Sequence, residues 1–233
     1  MQKISDLLKT RKITRILDVA CGKGEFIGMI YHFLGENVKI TALDASDKML
    51  ELAKKQYTKV EFIKGDAYQM PFIEKSFDLV CLSNSLHHFR HPEKVITEMK
   101  RILTENGSII IQEMISDEDQ TPAQKSHIML HHFSAEIDEL NGTCHQQTWN
   151  REKLRHFIKN QLGKTSETEY AYPLENPKDE KLLTRFEKTI DFFIQKSAVF
   201  KEFEQLHNQG EKIKTHLKTY GFAPAIEMLF LTE

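Results

Sequence analysis

Ile16-Leu17-Asp18-Val19-Ala20-Cys21-Gly22-Lys23-Gly24-Glu25-Phe26 is the stretch that decides the fold. A short apolar run reads as a buried strand. It ends in a turn carrying Gly22 and Gly24, and an amphipathic stretch over 25–34 follows at once. Side chains at the two glycine positions would block a ligand lying against the backbone, so the turn reads as a nucleotide cradle between strand and helix. Asp44 stands 22 residues after Gly22, at the end of a second apolar run over 38–43. A carboxylate there can accept hydrogen bonds from both hydroxyls of a ribose. The glycines alone leave the ligand open, because Gly28 falls one residue beyond the Gly-x-Gly-x-x-Gly spacing of a dinucleotide site.

Working outward, apolar runs at 13–20, 38–43, 60–64, 79–83 and 108–114 alternate with helical patterns at 25–34, 47–57 and 92–103. Strands separated by helices argue for parallel β-α-β units with helices on both faces of one sheet. Ser46 or Asp47 caps the second helix, Pro92 suits a first helical turn, and Asn106-Gly107 is placed in a turn into the fifth strand. After Met114 the texture changes. Thr121-Pro122 opens a helix that stops at Asn141-Gly142, a second helix over 150–162 stops at Gly163, residues 165–172 alternate as a strand, 178–220 are strongly helical, and 225–231 close as a last strand. The whole chain, 1–233, is read as a single domain in which helical insertions at 116–147 and 174–220 form a substrate lid.

The order of motifs narrows the ligand. Gly65-Asp66-Ala67 follows the third strand, and Met70-Pro71-Phe72 and Ser76-Phe77-Asp78-Leu79-Val80 come next. Ser83-Asn84-Ser85-Leu86-His87-His88-Phe89 and the run from Glu98 to Gly107 complete the series. This succession resembles the class I S-adenosylmethionine (SAM)-dependent methyltransferases, and within them the branch of menaquinone/ubiquinone-biosynthesis C-methyltransferases and related small-molecule enzymes. It covers about residues 14–115. The resemblance implies a Rossmann-like, mostly parallel seven-stranded sheet with an antiparallel last strand. It also implies that Asp18 through Gly24 underlie the methionine part of SAM, with Ala20 standing where the family usually has a glycine. Asp44 is then the ribose acid with Ala45 beside the adenine, Asp66 and Ala67 take the adenine edge, and Ser83 and Asn84 flank the methionine and sulfonium. The chemistry agrees: SAM carries a sulfonium and an amino group but no phosphate, so its site calls for carboxylates more than an anion cradle.

Two groups of residues are candidates for the rest of the chemistry. His87 and His88 follow the fourth strand, and a neutral His88 could serve as a general base; packing of the His-His-Phe cluster in its loop is the other reading. Farther on, His127 and His131 share one helix face, His132 and Glu136 the adjacent one, and His145 enters from the following loop. His127, His131, Glu136 and His145 could hold a divalent metal. Against this stand solvent-facing histidines on an amphipathic lid helix, or a metal-free site for a polar substrate. Trp149, Phe133, Tyr170 and Tyr172 are candidates for an apolar acceptor pocket, while Cys21 and Met49 read as packed residues.

The bounds exclude some functions. A formal net charge of −2 offers no electrostatic footprint for nucleic acid. No apolar stretch approaches a bilayer span, no signal-peptide pattern precedes the first strand, and three cysteines do not make a disulfide framework, so a cytoplasmic setting is expected. A small-molecule methyl acceptor is the expected partner, with a homodimer as a further expectation. A SAM-binding regulatory protein without transferase activity and a nicotinamide-dependent oxidoreductase are the alternatives.

Overall fold

The structure, a computed structural model, describes residues 2–232. Seven strands form one sheet: β1 (Arg15–Val19), β2 (Lys39–Asp44), β3 (Glu61–Lys64), β4 (Phe77–Ser83), β5 (Leu103–Met114), β6 (Thr165–Tyr170) and β7 (Glu227–Thr232), in the order β3-β2-β1-β4-β5-β7-β6. The first five run parallel, and β7 lies antiparallel between β5 and β6. This is the Rossmann-like α/β architecture with an antiparallel last strand that the motif order implies.

Side chains alternate across the pleat, which makes the sheet apolar on both faces. Leu17, Val19, Val80, Leu82, Ile109 and Ile111 point to one face and pack under α4 (Pro92–Ile102) and α6 (Arg151–Leu162). Ile16, Ile40, Ala42, Leu79, Cys81 and Ile110 point to the other, under α2 (Glu25–Leu34) and α3 (Asp47–Gln56). The same face is covered by α1 (Gln2–Lys9), a helix the sequence pattern did not suggest. Its Ile4 and Leu8, four apart, are fully buried.

The helix ends follow their local chemistry. The Ser46 hydroxyl accepts Met49 N–H at the start of α3, and Asn150 accepts Lys153 N–H at 2.9 Å at the start of α6. Thr121 and Gln124 form a full capping box at the start of α5 (Pro122–Leu140). The strongly helical segment over 178–220 forms two helices, α7 (Glu180–Lys196) and α8 (Phe203–Tyr220), and these pack with α5 around Phe133, Ile190, Ile194 and Leu206 as a separate helical layer. One expectation changes. Asn106-Gly107 lies inside β5. There the strand advances from Leu103 to Ser108 while its partner advances only from Phe77 to Leu79, so the predicted turn is accommodated as a bulge.

Candidate functional site

The strand order reverses between β1 and β4, with β2 and β3 built to one side and β5 to the other, and ligands of such sheets bind outside the carboxyl ends at that switch point. Register places Val19 beside Leu43 and Leu82, so the carboxyl ends of β1, β2 and β4 finish level. A cavity of about 950 Å³ opens there. That is near the upper end of the roughly 300–1,000 Å³ of small-molecule sites, with room for two ligands side by side.

The predicted cofactor residues Asp18, Ala20, Gly22, Asp44, Ala45, Asp66, Ala67, Ser83 and Asn84 all line this cavity. Gly24 does not. A Cβ added to Gly24 would meet the Tyr57 ring at 2.9 Å, whereas one added to Gly22 would meet nothing within 4 Å. Gly22 therefore keeps the cavity floor bare, while Gly24, at φ +83°, starts α2 and admits Tyr57. Ala20 also adopts a left-handed conformation, φ 52°, which explains why a glycine is at home there and leaves a non-glycine strained.

Asp44 braces the turn. One of its carboxylate oxygens accepts Gly22 N–H and the other accepts Ser46 N–H, each at 2.8 Å. Asp66 accepts Tyr68 N–H at 2.9 Å. Asp18 differs from both. It is 1% exposed, and neither of its oxygens meets a hydrogen-bond donor among the described residues. Burial, and then the charge of Asp44, push its pKa up to about 8. A buried carboxylate with no donor is costly unless a cation or donor completes it, and this one faces the cavity.

The far wall was not foreseen. Glu227 on β7 is held by Asn84 Nδ2 at 3.1 Å, Gln112 Nε2 at 2.5 Å and the Tyr170 hydroxyl at 2.8 Å. Its pKa is raised, burial being the main cause. Thr143 and Cys144, from the loop after α5, and Tyr172, beyond β6, complete the wall with His88 and Phe89. Of the four aromatics proposed for an acceptor pocket, only Tyr172 lines it. Phe133 is central to the helical layer, Trp149 packs on Phe157, and Tyr170 serves Glu227. Met49 and Cys21, read as packed residues, both reach the cavity, and burial raises the Cys21 thiol pKa so that it stays protonated.

His88 reaches the cavity. Burial, with His87 and His145 nearby, lowers its pKa to about 3. Of the histidines beyond it, His145 is buried and His127, His131 and His132 are half-buried rather than fully solvent-facing, and they regroup. His127 accepts Ala225 N–H at 3.0 Å and lies against Phe222 with the rings tilted, and both it and Glu136 are outside the cluster. His132 bonds the Thr148 hydroxyl at 2.9 Å. His131 and His145 instead meet His87. The quartet His127, His131, Glu136 and His145 is thus not brought together. Helical spacing showed which residues share a face of α5 but not that the face would meet the turn after β4.

A sheet with this switch point, a glycine turn braced by an acid, and a carboxylate-rich cavity without a phosphate cradle define the class I SAM-dependent methyltransferase architecture. The chain belongs to the methyltransferase-domain family, whose profile matches residues 10–176. It is 32% identical over 114 residues to a demethylmenaquinone methyltransferase of Thermotoga maritima, an alignment that covers 49% of each chain. The chain therefore spans about half the length of the curated relatives it matches. Among solved structures, the YcgJ protein of Bacillus subtilis superposes with a TM-score of 0.59 at 16% identity, covering 99% of this chain and 97% of that one. A Haemonchus contortus phosphoethanolamine N-methyltransferase in complex with S-adenosylhomocysteine superposes with a TM-score of 0.53 at 15% identity, covering 99% of this chain and 52% of that one. At such identities these two likenesses speak for the fold alone. Among the described residues, no helix is long and apolar enough to cross a membrane.

Proposed function

We propose that the chain transfers the methyl group of SAM to a small-molecule acceptor. The observation that carries this reading is Asp18, a buried carboxylate without a donor that opens on a bare glycine turn. The residues present fit SAM: Asp18 would meet its amino group, Asp44 its ribose, and Asp66 with Ala67 its adenine, with Ser83 and Asn84 beside the methionine. When bound, SAM supplies an electrophilic methyl group on a sulfonium. The chain supplies position and exclusion of water, which accounts for much of the acceleration of an in-line displacement. Asp44 holds the Gly22 turn in place, and Glu227 orients Asn84 and Gln112 on the cavity wall.

The acceptor would lie on the side of His88, Phe89, Cys144 and Tyr172, where the insertion at 116–147 contributes Thr143 and Cys144 to the wall. That contribution supports reading the 116–147 insertion as a lid; among the described residues none of 174–220 lines the cavity. His88 offers a hydrogen bond to the acceptor. The slightly negative net charge disfavours a nucleic-acid acceptor.

Calorimetry separates the readings. SAM and S-adenosylhomocysteine should bind the wild-type chain, and Asp18→Asn should weaken SAM at least about tenfold, the loss of one charge-assisted contact. NAD binding without SAM binding would refute the proposal. SAM binding with no S-adenosylhomocysteine formed across an acceptor screen would favour a regulatory SAM-binding protein.

A further inference from the structure

Three histidines from three separate segments meet behind the acceptor wall. His87 comes from the 3-10 turn Leu86–His88 after β4, His131 from the middle of α5, and His145 from the loop that follows it. One ring nitrogen of each lies within 4.8 Å of the other two. Two of the rings are held from behind by carboxylates. Nδ1 of His87 bonds Glu113 Oε1 at 2.8 Å, and Nδ1 of His145 bonds Asp138 Oδ2 at 2.8 Å. Both acids are themselves fixed, Glu113 by Leu86 N–H at 2.9 Å and Asp138 by Lys196 Nζ at 2.6 Å.

A carboxylate takes the proton side of an imidazole, so Nδ1 carries the hydrogen and the Nε2 lone pair faces inward. Nε2 of His87 is buried and has no hydrogen-bond partner among the described residues, and Nε2 of His145 lies 3.5 Å from Nε2 of His131. His131 has no carboxylate behind it and its Nδ1 is buried without a partner among the described residues, so its single proton can serve only one of the two inward lone pairs, whereas a shared cation satisfies all three rings. Zinc–imidazole bonds of 2.0–2.1 Å at tetrahedral angles set ligand nitrogens about 3.3 Å apart. The His131–His145 pair is already near that spacing, and side-chain rotation would have to bring His87 in by no more than about 1.5 Å.

We propose that His87, His131 and His145 form a site for a divalent transition metal of the zinc class, which ties the α5 insertion to the core beside the acceptor wall. Three neutral imidazoles favour zinc, cobalt, nickel or copper over magnesium and calcium, which take oxygen ligands. Glu113 supplies a negative charge behind His87, and Asp138 supplies a second behind His145 that it shares with Lys196. Three protein ligands leave a fourth coordination position. His88 lies next to the site, its ring centroid 4.2 Å from that of His145, and Cys144 precedes His145 in the cavity wall. The ion would thereby fix the wall segment over 143–145 to the turn over 86–88. This site stands on its own geometry, whether or not methyl transfer is the activity.

The test uses the full chain, purified without a metal-affinity tag, stripped with a chelator and titrated with Co²⁺ and Zn²⁺. The expected result is one equivalent of Co²⁺ with visible d–d bands, displaced by Zn²⁺. His145→Ala should abolish the bands and His127→Ala should leave them. Asp138→Asn should weaken cobalt binding about 10–100-fold, the usual effect of removing an outer-sphere carboxylate. Circular dichroism and thermal unfolding on each variant report that the chain is folded. Wild-type protein that binds no equivalent of Co²⁺, or bands that survive His145→Ala in folded protein, would overturn the proposal. Neither outcome depends on turnover, so failure here is distinguishable from failure of the methyltransferase reading.

Discussion

The carboxylate of Asp44 and the backbone N–H of Gly22 are joined at 2.8 Å, so the acid assigned to the ribose also holds the glycine turn in shape. Its second oxygen holds Ser46 N–H, the residue that caps α3. Asp44→Ala removes both bonds and should lower unfolding free energy by about 1.5–3 kcal/mol for each, the range for a hydrogen bond to a charged group. It should also weaken SAM by more than the ribose contact alone, because the turn relaxes. Urea unfolding and calorimetry on the same variant check both parts. A wild-type stability with a weakened SAM site would assign Asp44 to the ligand only.

Gly22 and Gly24, two residues apart, should fail in different ways. Gly24→Ala meets the Tyr57 ring and a left-handed backbone, so it should cost about 1–3 kcal/mol of stability with a modest effect on SAM affinity. For a chain of this size that is roughly 2–4 °C of melting temperature per kcal/mol. Gly22→Ala bears the backbone strain without the clash but puts a methyl group where the cavity floor is bare. It should therefore lose SAM binding out of proportion to its stability. Equal ratios of binding loss to stability loss in the two variants would contradict the geometry.

That contrast shows how far the sequence could be read. The strand, turn and helix from Arg15 to Leu34 are local, and so are the caps at Ser46, Thr121 and Asn150, so apolar period and capping chemistry disclosed them. The spacing did not disclose which side of the turn each glycine faces, because Tyr57 reaches Gly24 from the end of another helix. Glu227 was missed for the same reason on a larger scale. It meets Asn84 across 143 residues of chain, and an acid in a final strand carries no local signal. Helical spacing groups the histidines of α5 with one another, but His131 meets His87 only through the packing of α5 over the turn after β4, which no local pattern discloses. Two turns of α1, with Ile4 and Leu8 its fully buried apolar residues among those described, are too short to stand out.

Tyr170 and Glu227 connect the edge of the sheet to the cavity wall. Tyr170→Phe takes one of three donors from a buried carboxylate while keeping the ring, and should cost about 1–3 kcal/mol. Burial already raises the pKa of Glu227, and losing a donor raises it further, so the protonated form gains. The variant should therefore lose least stability in acid and most at neutral pH and above. A loss independent of pH would place the cost in packing rather than in the carboxylate.

Asp18 makes the sharpest pH prediction. Its pKa rises from an ordinary 3.8 to about 8 in the ligand-free fold, so between these values the folded chain holds a proton that the unfolded chain has released. The stability that Asp18 contributes through this proton is full below about pH 4 and is lost as pH rises through about 8. Other groups run the opposite way: burial lowers the pKa of His127 and His132 to about 4, and their contribution grows as pH rises. The Asp18 effect is therefore read as a difference: wild type minus Asp18→Asn should fall steadily from pH 4 to pH 8 in melting temperature and then level off. SAM, with its positive charges, selects the ionised carboxylate, so binding near pH 6.5 should release about one proton that Asp18→Asn does not release. Calorimetry in two buffers of different ionisation enthalpy measures that proton. Equal release by both proteins would remove Asp18 from the cofactor's amino group and with it the main support for the cofactor's placement.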